Sequence, residues 1–197
     1  MIDLEAEYLA ALGDTSPLRR RQLHQAGVPQ RAIDLAGPAY TRVRPVGSAL
    51  FEPNPDSNLG AFILPVRVDY PDTPESPDPE AVIEGGDIVD LVAFDPEVGA
   101  QWILRAGNAE WLGACPPQYL DPPPVPLHRS PIDWLRAGCE GVVCLARAPI
   151  EIHRFLCRFA ALDVADDRHA EELQALLERP PTHPEILVGG RTHRHVG

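Results

Sequence analysis

The sequence predicts an α+β or α/β fold, a mixed sheet with helices packed on it and an N-terminal helical region in front. Three observations predict it. Apolar residues recur at helical spacing through residues 2–37, AFILPVRV (61–68) and IVDLVAF (88–94) read as strands, and helix and strand patterns alternate after residue 130. The chain has 197 residues, 44% of them hydrophobic and 23% charged. That is the length of one mid-sized domain, with enough apolar side chains to fold without a disulfide or metal staple.

In residues 2–12, Leu4, Tyr8, Ala11 and Leu12 share a helical face, and Asp3, Glu5 and Glu7 lie near the positive end of the helix dipole. Ser16-Pro17 starts a second helix and Gly27 stops it; Pro29 starts a third and Gly37-Pro38 ends it. Residues 1–45 are therefore expected to form the helical region, with a helix-turn-helix-like hairpin at 16–37. Residues 46–197 are expected to form the mixed α/β domain. Pro65 pushes strand 61–68 toward a sheet edge or a bulge. Segment 82–94 is the stronger strand, and its core at 88–94 has the nearly unbroken apolar run of a central strand. QWILR (101–105) follows a DPEVG turn and is expected to pair back on it as a hairpin. YPDTPESPDPE (70–80), with four prolines and four carboxylates, reads as an exposed loop.

Residues 116–131 hold seven prolines and read as an extended connector and the one internal boundary. Beyond it, SPIDWLRAG (130–138) carries a cap, a first-turn proline and a terminal glycine, and GVVCLA (141–146) reads as a buried strand. Ile152, Phe155, Leu156 and Phe159 mark another helix, as do Ala170, Leu173 and Leu177, and EILV (185–188) is a last short strand. The sheet is expected to draw strands from both sides of the connector.

All 17 basic residues are arginine. Without lysine there is no P-loop amine, no kinase β3 lysine and no Schiff base. The motif types of nucleophile elbow, dinucleotide-binding loop and paired-histidine zinc helix are also missing, which lowers the prior for an enzyme. No cofactor is called for. The net charge of −12 repels nucleic acid and anionic membrane unless charge is segregated. No apolar run is long enough to span a membrane, the acidic N-terminus is unlike a signal peptide, and a cytoplasmic location is expected.

GGDIVDLVAF (85–94), AEWLG (109–113) and SPIDWLRAGCEGVVCL (130–145) resemble a group of uncharacterised proteins of high-GC proteobacteria, often encoded in prophage-like regions. The resemblance spans about the C-terminal two thirds of the chain. It implies a cytoplasmic protein in a DNA-related genomic setting and carries over no catalytic residue.

Charge is segregated in one place. Residues 14–50 hold Arg19, Arg20, Arg21, Arg31, Arg42 and Arg44 against Asp14 and Asp34, leaving +4 there and −16 elsewhere. Three arginines opening a helix oppose its dipole, so they suit an external anion, and phosphate is the obvious one. The second hairpin helix offers only Gln30, Arg31 and Asp34 for reading bases. The plainer alternative is a helical hairpin packed on the domain, its arginines solvated or paired with acidic loops.

Three further candidates stand beside it. Asp69–Glu97 holds ten acidic residues and no basic one, so Asp87, Asp90 and Asp95 could serve a hard cation and metal-dependent hydrolysis. Strand parity, however, puts Asp87 and Asp90 on opposite faces, and Asp90 could equally be hydrogen-bonded or bound to an arginine. The same acidic stretch could instead mimic a polyanion toward a basic protein. Cys139, Cys144, His153 and Cys157 follow C-x4-C-x8-H-x3-C, a loose zinc pattern set against buried, reduced cysteine. His183, His193 and His195 lie at the tail, and Trp102, Trp111 and Trp134 read as packing residues. The expectation is a non-catalytic accessory or interaction protein, contacting nucleic acid or a protein partner through the arginines. The metal-dependent enzyme and the acidic charge mimic are the alternatives.

Overall fold

Helix signals and strand alternation both translate into structure, with a closed barrel and a separate four-stranded sheet where one sheet is expected. The computed structural model describes residues 2–67, 86–99, 101–113 and 123–178, together with the backbone at 187–188 and 191–192. Three helices come first: α1 (Leu4–Gly13), α2 (Pro17–Gln25) and α3 (Gln30–Ala36). Five strands follow: β1 (Ala39–Val46), β2 (Leu50–Pro53), β3 (Gly60–Arg67), β4 (Ile88–Phe94) and β5 (Trp102–Leu104). The rest are β6 (Trp111–Leu112), β7 (Val125–His128), α4 (Pro131–Arg136), β8 (Val142–Cys144), α5 (Pro149–Leu156), β9 (Leu162–Val164), α6 (Asp167–Glu178) and the pair β10 (Leu187–Val188) and β11 (Arg191–Thr192). The fold is α+β, and among the described residues no helix is long and apolar enough to cross a membrane.

Strands β1 to β5 close into a barrel in the order β1-β2-β5-β4-β3. Neighbours are antiparallel except β2 and β5, which run parallel and meet at one pair, Leu50 with Leu104. Alternation sorts the side chains. Val43, Phe51, Ala61, Ile63, Leu91 and Ala93 point inward, and Tyr8 and Ala11 of α1 join them, so α1 plugs the end where β1 and β4 begin. The helix starts at a true cap, the Asp3 side chain accepting from Ala6 N, and the Tyr8 hydroxyl donates to Gly37 O at 2.7 Å. Outward-facing Phe62, Leu64, Val92, Phe94 and Leu104 form a second core with Leu23, Ile33, Ile132 and Leu135 from α2, α3 and α4. Each large side chain buried there contributes about 2 kcal/mol from area alone.

The second sheet has the order β6-β8-β7-β9, with β7 parallel to both neighbours. Its far side is the third core, where Val125, Leu127, Val142, Phe155 and Leu156 meet Leu173 and Leu176 of α6. Gly141 is required here, because its φ is +76° and a Cβ would lie 2.2 Å from Pro126 O.

Several expectations are corrected. The helical region does not reach residue 45, since the chain is strand from Ala39 onward. The proline stretch 116–131 is not all connector: Val125–His128 is an interior strand and Pro131 opens α4, capped by Ser130. Pro126 is tolerated because β8 joins β7 only from Leu127. Strand β3 is flanked on both sides, yet its pairing with β1 stops at Ile63, before Pro65, and a register shift follows between Val66 and Arg67. Strand β4 lies between β3 and β5, and β5 pairs back on it as a hairpin, as expected. The loop at 70–80 lies outside the described residues.

Candidate nucleic-acid interface

The arginines converge through one tyrosine. On β1, Tyr40, Arg42 and Arg44 alternate with inward-facing Ala39 and Val43, so all three share the barrel's outer face. Arg19, in the first turn of α2, lays its guanidinium 3.7 Å from the centroid of the Tyr40 ring and donates to Gln22 Oε1 at 2.9 Å. A cation over an aromatic face at such an edge is worth about 0.5–1 kcal/mol. Tyr40 in turn lies across Gly60, where a Cβ would come within 1.7 Å of its hydroxyl oxygen. The result is a row of Arg19, Tyr40, Arg42 and Arg44. Arg42 donates to Pro55 O at 3.1 Å, and Arg44 pairs with Glu52 across the β1–β2 ladder at 2.6 Å. That hydrogen bond and the Arg44 charge hold the Glu52 carboxyl below its ordinary value. Arg20 and Arg21, beside Arg19, are exposed and have no partner among the described residues.

Arg31 stands apart on α3, close enough to Cys139 for its charge to act on that thiol. The hairpin that holds these helices is built into the body of the protein. Leu23, Val28, Ala32 and Ile33 are buried, and Arg136 of α4 donates to Ala26 O in the turn at 2.7 Å. Two of its three base-reading side chains are tied up. Gln30 Oε1 lies 2.8 Å from His24 Nε2, and Gln30 Nε2 donates to Asp34 Oδ1 at 2.6 Å.

The carboxylates near 87–95 do not converge. Asp90 is fully buried and accepts from five backbone N–H groups, those of Leu91, Arg105, Ala106, Asn108 and Ala109, at 2.7–3.2 Å. A buried charge must be met by partners of this kind. Asp95 accepts from Glu97 N in its own turn, and Asp87 is exposed. Among the described residues no three His, Cys, Asp or Glu side chains lie close enough to hold a metal ion. Residues 69–85 of the acidic stretch lie outside the described residues, as do His183, His193, His195 and Cys115.

The cysteines are also separate. Cys139 is buried against Ala32 O at 3.8 Å, and burial pushes its thiol up to about 12. Burial likewise pushes Cys144, in β8, up to about 11. Among the described cysteines only Cys157 is exposed, its Sγ 3.6 Å from His153 Nδ1 one turn earlier. Thiols held protonated make poor ligands and nucleophiles at neutral pH. Trp134 is buried and donates to Gly141 O at 3.1 Å, while Trp102 and Trp111 are half-buried beneath Arg147 and Arg158.

Sequence reasoning missed three features. Tyr40 is the joint of the arginine row, and the alternation AYTRVRPV carries its signal. Arg147 donates to Ser48 O at 3.0 Å and to Trp102 O, bridging the β1–β2 turn to β5. Glu7 and Arg105 form a bidentate pair at 2.7 and 2.9 Å across 98 residues. Finally, the barrel end opposite α1 is open, a cavity of about 300 Å³ floored by Val43, Ala61, Ala93 and Ile103. No family model, curated protein or solved structure matches this chain.

Proposed function

We propose that this chain is a non-catalytic accessory protein that holds nucleic acid by its phosphates along the arginine row. The observation that supports it is the continuity of Arg19, Tyr40, Arg42 and Arg44 on one surface, with Arg20 and Arg21 exposed on the helix that carries Arg19. Arginine suits the task, since its planar fork meets phosphate oxygens bidentately. Contact is to the backbone rather than to base edges, because Gln30 and Asp34 are engaged with each other and the hairpin is packed into the protein. The excess negative charge elsewhere orients the row toward the polyanion. Such a protein works in the cytoplasm, in keeping with the prophage-associated proteins it resembles.

Fluorescence anisotropy with a labelled single strand and a duplex, titrated between about 50 and 200 mM salt, tests this. Affinity falls steeply with salt and depends little on sequence. Changing Arg20 and Arg21 together to alanine weakens binding and lowers the log–log salt slope by roughly two. The outlying Arg168→Ala leaves both unchanged. Equal binding by wild type and an R19A/R20A/R21A variant that stays folded removes the row as the contact.

A further inference from the structure

We propose that the open end of the barrel is a binding site for a small molecule with an apolar body and one ammonium group. Its origin is visible in the packing. At the end plugged by α1 the inward positions carry Ile63 and Leu91 and are filled by Tyr8. Toward the other end the inward positions shrink to Ala61 and Ala93, with Gly47 and Gly60 at the rim, and no helix among the described residues lines it. The result is about 300 Å³ of space opening at the barrel mouth, where the close packing of the interior stops.

The space has a shape and a polarity. At ~30 Å³ per water it holds about ten waters, and a ligand of roughly ten non-hydrogen atoms fills it, the lower limit of known small-molecule sites. Leu59 and Val98 wall it at the mouth. Polar lining is sparse, and among the described lining residues the one charged side chain is Asp95. Asp95 Oδ1 accepts from Glu97 N at 2.9 Å, and no second partner meets its carboxylate among the described residues. Arg147 is held by Ser48 O and Trp102 O, over the Trp102 ring, and is not among the cavity's described lining residues. An apolar floor beneath one available carboxylate selects an amine over a neutral or anionic ligand of the same shape.

The test uses 2-phenylethylamine and its neutral counterpart 2-phenylethanol, followed by amide chemical shifts on the full chain. The amine shifts the Ala61, Ala93 and Ile103 amides saturably and binds about fivefold more tightly than the alcohol, as one partly exposed ion pair provides. Asp95→Asn, which keeps the turn acceptor, abolishes the preference while leaving the alcohol's affinity unchanged. Ala93→Leu fills the cavity and abolishes both. Equal binding of amine and alcohol, or an unchanged preference in Asp95→Asn, overturns the ammonium assignment. Absence of saturable shifts with both probes at millimolar concentration overturns the site. A phenylalanyl dipeptide amide binding more than about tenfold tighter than 2-phenylethylamine, a difference of ~1.4 kcal/mol, overturns the small-molecule assignment in favour of a peptide N-terminus.

Discussion

The barrel and the four-stranded sheet solve the same problem with different materials. The barrel has strands of up to eight residues, a continuous interior and polar contacts withdrawn from solvent, Asp90 in its cage of amides and Glu7 on Arg105 with side chains 26% and 14% exposed. The sheet has strands of two to four residues and ties its α6 end down with exposed ion pairs, Arg129 to Asp166 at 3.1 Å and to Glu172 at 2.8 Å. Buried polar groups are costly to disturb because their partners are stranded without water, whereas surface pairs are screened and contribute little. The contrast assigns rigidity to the barrel and responsiveness to the sheet.

The largest effect belongs to Asp90. Replacing it with alanine strands buried amides and costs more than about 3 kcal/mol in urea unfolding, while asparagine recovers part of the loss. A loss under ~1 kcal/mol on Asp90→Ala contradicts a structural role for the cage. Next comes Glu7→Ala, which frees one end of α1 at a cost of about 1 kcal/mol. Hydrogen exchange then rises in α1 while amides of β3 and β4 keep their protection.

Acid separates the two regions more gently. Burial, with the Arg129 charge next to it, pushes His169 below the ordinary histidine value, and its Nδ1 has no partner. The hydrogen bond from Arg129 holds Asp166 down. For Glu172, burial pulls upward but the hydrogen bonds from Arg129 and Arg168 prevail, so its carboxyl is lowered too. A group whose folded value is depressed binds its proton more readily when unfolded, so stability falls with pH in all three cases. For His169 the loss begins below ~6.5 and for the carboxylates below ~4.5. Lowering pH from neutral to about 5 therefore reduces protection in β9 and α6 before it does so in β3 and β4, and His169→Phe removes that first step. Simultaneous loss in both regions shows that they unfold as one. The smallest perturbation is thiol labelling in the folded state: Cys157 reacts promptly, and Cys139 and Cys144 remain protected, as read by peptide mass mapping.

Much of the fold was legible locally. Ser16-Pro17, Ser130-Pro131 and the glycine stops marked helices that the structure contains, and IVDLVAF read correctly as a central strand. Barrel closure was not legible, because it rests on one β2–β5 residue pair and on an arginine about a hundred positions along the chain. Strand β7 was hidden by its prolines, whose missing donors fall where no neighbour has yet joined on the β8 side. At the candidate site the arginines were countable in the sequence, but their alignment depends on Tyr40 lying over Gly60, a contact that composition does not reveal.

The amide cage around Asp90 also bears on how this chain can change over evolutionary time. Four of the five donors belong to the main chain of residues 105–109, and any residue but proline supplies one. The carboxylate that gathers that bend thus sits at one remote position, while Gly107 within it supplies the left-handed turn. A saturation library across both segments should reveal tolerance at Ala106 and Asn108, a demand for glycine between them at Gly107, whose φ is +77°, and one intolerant letter upstream at position 90.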